Sequence, residues 1–393
     1  MRLEDNEKKN IISIAGELFC FNISEAIEVP GHEGGRNLVY RIGDKSVLRI
    51  STLSDRTIED YQAEIEYVHF LAKGGASVAD VIPSVNGKLV EKIVLENREI
   101  YISCFEYAKG VLISDNGYQY IDGRPLSEYF YNTGKTLGKI HKLSKQYKAE
   151  HQRRDYFDKY NLAYIEELIP QEHSELRAAI AKRLEVFQSL TKNPEEYGLI
   201  HFDFSDGNYH IDMKTGKITV FDFDNCMNCW YMFDLANLWT HGVGWYRFEE
   251  DPEVRRKGME EYFALIIKGY RSETDISDNM LDKLQQFIDM VLIENVVDEF
   301  ECCHRENVEP DEEDIEDEMN CLVNNIPFAG FFDPEVYITF PSVSISAQIL
   351  NAREKSISVS SNDRYLLCVV YISLNCSSDS LLPVLPLTLS GEA

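Results

Sequence analysis

The 393 residues of the chain include 67 Asp and Glu against 39 Lys and Arg, a formal net charge of −28 at pH 7. That excess argues against nucleic acid or an anionic membrane as partner, because phosphate backbones bind where Lys and Arg neutralise them, and it favours a cationic ligand. With 44% hydrophobic and 27% charged residues the chain has the composition of a globular protein with a sizeable core, and no stretch reaches the roughly 20 apolar residues of a membrane helix.

Nine cysteines, an odd number, follow a start without the apolar segment of a signal peptide, which predicts reduced thiols and a cytoplasmic location. Cys226 and Cys229 have C-x-x-C spacing. A structural zinc takes four ligands and no second matching pair exists, so two structural thiols are the preferred reading.

In chain order, residues 27–29, 37–42 and 46–51 read as short strands of an antiparallel sheet, separated by Gly-containing turns. The turn over residues 31–37 either brings backbone N–H groups towards phosphate at Gly34 and Gly35 or simply closes a hairpin. Ile58, Tyr61, Ile65, Val68 and Ala72 then recur at helical spacing until Lys73-Gly74-Gly75. Strands are expected over 89–95 and 99–107, and Lys109-Gly110 marks the boundary between a first unit, 1–108, and a mainly helical second, 109–343. Within the latter, the four-three spacing of Leu126, Phe130, Thr133, Leu137 and Ile140 predicts an amphipathic helix. Further helices are expected over 174–190 and from about 252 to 303. Residues 208–212 and 217–223 flank Met213-Lys214-Thr215-Gly216 as a hairpin.

Between residues 241 and 320 stand 24 acidic against 8 basic residues; the densest run, 309–318, reads as a solvated face or mobile loop. Residues 344–393, rich in serine and poor in charge, read as a poorly ordered tail, with a frame-shifted or recombined end as the second reading.

The chemistry concentrates in His201-Phe202-Asp203-Phe204-Ser205-Asp206-Gly207-Asn208. Phosphoryl transfer from ATP explains an Asp five residues before an Asn: the carboxylate of Asp203 would accept the proton of an incoming hydroxyl, and the amide oxygen of Asn208 would hold Mg2+. Across the hairpin, Asp222 in Val220-Phe221-Asp222-Phe223-Asp224 returns to the same loop as a second metal ligand. Asp224 either assists the metal or serves structurally.

These motifs, downstream of a Gly-containing antiparallel sheet, resemble the aminoglycoside phosphotransferase and choline kinase superfamily over about residues 20–340. The resemblance implies an α+β, bilobal protein-kinase-like fold, with a small five-stranded, one-helix N-terminal lobe, a larger helical C-terminal lobe, and ATP between them. It implies Asp203 as catalytic base, Asn208 and Asp222 as magnesium ligands, His201 as organiser of the loop, and Asp234 as the buried aspartate that braces it. Arg49 stands where a kinase usually has Lys; it keeps the charge but grips phosphate or carboxylate with a different geometry. Glu64 borders the inward face of the first helix and is its natural partner, the alternative being a surface Glu.

Asp224 replaces the glycine of a D-F-G motif and no A-P-E segment follows, which favours a small hydroxyl substrate carrying an amine. A protein Ser/Thr kinase of the bacterial stress-response type and a catalytically silent nucleotide-binding protein are the competing expectations.

Overall fold

The computed structural model describes residues 4–30, 37–52, 56–95, 97–247, 249–308, 310 and 312–328, the side chains of 312–314 excepted. Gly34, Gly35 and the tail over 344–393 lie outside the described residues.

Helix α1 (Asp5–Phe19) precedes strands β1 (Ala26–Val29), β2 (Asn37–Ile42) and β3 (Ser46–Ser51), followed by α2 (Ile58–Lys73), β4 (Val81–Ile82), β5 (Glu91–Leu95) and β6 (Arg98–Glu106). The strands form one antiparallel sheet in the order β1-β2-β3-β6, and β4 and β5 share the remaining edge of β6, pairing with Cys104–Phe105 and with residues 98–102. Among the described residues, six strands thus fill five positions, and two helices rather than one serve this lobe.

The period of two along each strand decides which helix each face meets. Leu48 and Ile50, with Tyr40, Ile42, Ile100 and Ile102, point to Ile11, Ile12 and Ala15 of α1 and form a separate core under it. Arg49, between them, is turned to the opposite face, where α2 lies. Thr57 caps α2 in a capping box with Asp60, which fixes its start.

Beyond β6 the chain crosses to the C-terminal lobe at Gly110, whose φ is 118°. A side chain there would place Cβ 2.0 Å from the Ile211 carbonyl oxygen, so only glycine lets the strap lie on the hairpin. The C-terminal lobe comprises α3 (Leu126–Ser144), α4 (Tyr156–Lys159), α5 (Leu162–Leu168), α6 (Ser174–Gln188), β7 (Tyr197–Ile200), β8 (Tyr209–Ile211) and β9 (Ile218–Val220). After these come β10 (Met227–Trp230), α7 (Tyr231–Gly242), α8 (Pro252–Arg271), α9 (Asp278–Leu281), α10 (Leu284–Glu306) and α11 (Glu312–Asn324). β8 pairs with β9 and β7 with β10, both antiparallel.

Helices α3 and α8 cross at backbone contact: a Cβ on Gly134 would come within 1.9 Å of the Ile266 carbonyl oxygen, and one on Gly269 within 1.9 Å of that of Tyr131. The helical stretch expected over 252–303 is broken in two places, with Ser277 capping the short α9 between α8 and α10. The acidic run expected to be a solvated face or loop is helical from Glu312, with Ile315, Cys321 and Leu322 of α11 buried. These side chains give an otherwise acidic segment an apolar stripe to set against the lobe.

Candidate active site

Asp234, on the first turn of α7, is fully buried beneath the loop over residues 201–208. Its Oδ1 accepts the Phe202 backbone N–H at 2.9 Å, and its Oδ2 accepts the His201 N–H at 3.0 Å and His141 Nε2 of α3 at 3.0 Å. Tyr270 on α8 completes the chain by donating its hydroxyl to His141 Nδ1 at 3.0 Å. Three helices, α7, α3 and α8, thereby hold one loop. Phe202 adopts a φ of 76°, a left-handed conformation that a bulky residue keeps only when its surroundings impose it; its ring stacks on Phe233 at 4.4 Å and 6°.

Burial pushes the His141 imidazole below its ordinary value of 6.5, against the upward pull of Asp234. An unfolded chain would bind a proton near pH 6.5 while the folded one stays neutral there. Stability is therefore full above about pH 6.5 and declines as pH falls, by up to about 1.4 kcal/mol per unit. Thermal melts from about pH 7.5 to 5.5 should show this decline, with a shallower slope in His141→Gln.

His201 is fully buried; its Nε2 donates to the Phe221 carbonyl at 3.0 Å, and Nδ1 meets no hydrogen-bond partner among the described residues. The ring ties the loop to the segment that carries Asp222, just beyond β9. Asn208 Nδ2 donates at 2.8 Å to both the carbonyl and Oδ2 of Asp203, which leaves its Oδ1 as the acceptor end of the amide. The Phe221 N–H donates to the Asn208 carbonyl at 2.9 Å. Asp203, Asn208 and Asp222 thus meet across one hairpin whose strands end at Val220, two residues before Asp222.

Asp222 also has a left-handed φ, 63°. Loss of hydration among the surrounding protein raises its carboxyl to about 7, reinforced by Asp224, Asp203 and Glu64 and opposed by Arg49. Asp222 is nevertheless exposed, and water tempers that loss. The crowding of carboxylates is the component a bound cation would relieve.

Arg49 and Glu64 form a bidentate pair, Nη1 to Oε1 at 2.7 Å and Nη2 to Oε2 at 2.8 Å, with Glu64 fully buried. Burial works against the charge of Arg49, but Glu64, Asp224 and Asp222 outweigh it and hold the guanidinium firmly protonated. The substitution for Lys therefore keeps the strand-to-helix ion pair in a planar fork that Lys cannot make.

Asp224 is buried, and its side chain faces the N-terminal lobe: Asn37 Nδ2 lies 3.2 Å from Oδ2, Arg56 is hydrogen-bonded to Oδ1, and Arg49 Nη1 is 3.8 Å from the same oxygen. With these donors the carboxylate joins the lobes. Neither Asn37 nor Arg56 carries a sequence signal for this role, since each meets Asp224 across more than 160 residues.

Cys226 and Cys229 are free and buried, and burial pushes the Cys226 thiol up to about 12. No group of three or more His, Cys, Asp or Glu side chains among the described residues could hold a metal alone. Asn208 and Asp222 instead offer two hard oxygen ligands beside the cleft, the partial set that suits a divalent cation whose remaining ligands are phosphate and water. No helix among the described residues is long and apolar enough to cross a membrane.

The profile of the phosphotransferase enzyme family matches residues 29–273. The chain is 27% identical over 245 residues to amicoumacin kinase of Bacillus subtilis (strain 168), an alignment covering 62% of this chain and 70% of that protein. The solved structure of an amicoumacin kinase in complex with AMP-PNP, Ca2+ and Ami superposes with a TM-score of 0.71 at 22% identity, covering 83% of this chain and 96% of that one. A microcompartment-associated aminopropanol kinase gives 0.57 at 16% identity, covering 87% and 95%. These structural likenesses establish the protein-kinase-like fold, and the family match spans β2 to β6, the loop over residues 201–208 and the hairpin, so the chain belongs to the phosphotransferase enzyme family.

Proposed function

We propose that the chain transfers the γ-phosphate of ATP to a hydroxyl group of a small, amine-bearing molecule. The observation that carries this reading is the grouping of Asp203, Asn208 and Asp222 around one loop and hairpin, with Arg49 near enough to act on Asp222. Asp203 would take the proton of the acceptor hydroxyl as its oxygen bonds to the γ-phosphorus; the bond from that phosphorus to the β,γ-bridging oxygen breaks and ADP leaves. Asp222 and the Oδ1 of Asn208 would hold Mg2+, which neutralises phosphate charge when bound. Arg49, fixed by Glu64, would face the phosphates.

The acceptor side is acidic. Glu294 on α10 is half-buried, and burial, followed by repulsion from Asp298 and Asp203, raises its pKa well above the usual carboxylate range against the pull of Lys159. An ammonium group on the substrate would restore the charge of Glu294 beside the catalytic carboxylate. Amicoumacin kinase and aminopropanol kinase, both similar to this chain, are named for small molecules, which supports the same substrate size.

A protein substrate is disfavoured by the connection after Asp224. Only residues 225–230 separate it from α7, and four of them form β10 paired with β7. That path is too short and too fixed for an activation loop.

The test is ATP consumption with Mg2+ against amino alcohols, amino sugars and amino acids, with a parallel incubation in cell lysate and labelled ATP. Label in a small-molecule product is expected. Label accumulating on protein would replace this reading with a protein kinase, and Mg-ATP binding without consumption across the panel would favour the silent nucleotide-binding protein.

A further inference from the structure

We infer that Arg153 is a positioning residue for the Asp222 carboxylate, acting through the backbone of residues 224–226; the inference rests on the reading of Asp222 as a metal-holding side chain. Arg153 lies in the segment between α3 and α4 and is only 6% exposed. Its guanidinium is directed at backbone carbonyls: Nε donates to Cys226 at 2.6 Å, Nη2 to Asp224 at 2.7 Å, and Nη1 to Asp60 at 3.2 Å. The carbonyl of Arg153 in turn accepts Asn228 Nδ2 at 2.8 Å.

This arrangement answers a mechanical problem posed by Asp222. Its left-handed φ must be imposed from both sides. On the N-terminal side, the Phe221 N–H and carbonyl are bound by Asn208 and His201 at 2.9 and 3.0 Å. On the C-terminal side, the first grips from outside the loop on the main chain are those of Arg153, on the carbonyls two and four residues beyond Asp222.

The same guanidinium reaches the first turn of α2, the helix that carries Glu64. One planar fork therefore joins the loop after Asp222 to the start of α2, with its two shorter bonds, 2.6 and 2.7 Å, on the loop. Lys has a single compact head and cannot span these carbonyls. Groups that orient a metal ligand without touching the metal commonly change affinity by about 10–100-fold when removed.

The test uses the full chain, with Arg153→Met and Arg153→Lys beside the unchanged protein. Mn2+ binding in the presence of AMP-PNP is followed by the electron paramagnetic resonance of free Mn2+, and metal-free AMP-PNP binding by calorimetry. Arg153→Met should weaken Mn2+ binding by about tenfold or more while metal-free nucleotide affinity stays within about twofold, a split that general loosening of the fold would not produce. Arg153→Lys should fall between the two.

A folded Arg153→Met with unchanged Mn2+ affinity overturns the inference. If Arg153→Met does not fold, Arg153→Lys decides, and unchanged Mn2+ affinity there overturns it equally. An unchanged protein that shows no metal-dependent AMP-PNP binding counts against the proposed function itself, and the role of Arg153 falls with it.

Discussion

Asp203→Asn should lower the rate of phosphoryl transfer by roughly 10²–10⁴-fold, the range a positioned general base supplies, while nucleotide binding persists. The amide has the shape of the carboxylate, so the 2.8 Å contacts from Asn208 Nδ2 to the carbonyl and Oδ2 of residue 203 can be kept. What disappears is the capacity to accept the hydroxyl proton. Initial rates and nucleotide titrations on the same preparation check this. Unchanged turnover would remove Asp203 from the chemistry, and loss of nucleotide binding would make its role architectural.

The second large effect concerns stability. Asp234→Ala should destabilise the fold by roughly 3–5 kcal/mol, because it strands three buried donors, the N–H groups of His201 and Phe202 and the Nε2–H of His141. Each buried donor left without an acceptor costs about 1–3 kcal/mol, and local relaxation recovers part of the sum. A fall of roughly 4–7 °C in melting temperature is expected for a chain of this size. Activity in the fraction that remains folded should fall as well, since Phe202 would lose what holds its left-handed backbone beside Asp203. A melting temperature within a degree or so of the parent would show that the loop is supported elsewhere.

Much of the site was legible because its defining spacings are local. Asp203 and Asn208 stand five residues apart, and a short hairpin brings Asp222 back, so sequence distance translates almost directly into proximity. Arg49 was legible through the resemblance, which puts it where a kinase usually has Lys, and Glu64 through helical spacing beside Tyr61 and Val68; the alternation of β3, which turns Arg49 away from Leu48 and Ile50, lets the two meet.

What escaped sequence reasoning is long-range or short in pattern. Asn37 and Arg56 meet Asp224 across 187 and 168 residues, and Arg153 meets it across 71; no local pattern distinguishes such residues from surface ones. The apolar stripe of α1 amounts to Ile11, Ile12 and Ala15 within a charged segment, so the helix that covers the second face of the sheet passed unremarked. β4 has two residues, too few for any alternation. In α11 the acidic residues outnumber the buried Ile315, Cys321 and Leu322, and charge concealed the helical spacing. His141 gave no sign of its contact with Asp234 because it lies on the same inward stripe of α3 as Leu137 and Ile140.

A crystal structure with Mg2+ and AMP-PNP bound decides whether one proton acceptor and two metal-holding groups surround the terminal phosphate. Metal density with Asp222 and the Oδ1 of Asn208 among its ligands is expected, with Asp203 facing the γ-phosphate. A nucleotide bound elsewhere, or a metal whose ligands include neither Asp222 nor Asn208, would contradict this arrangement.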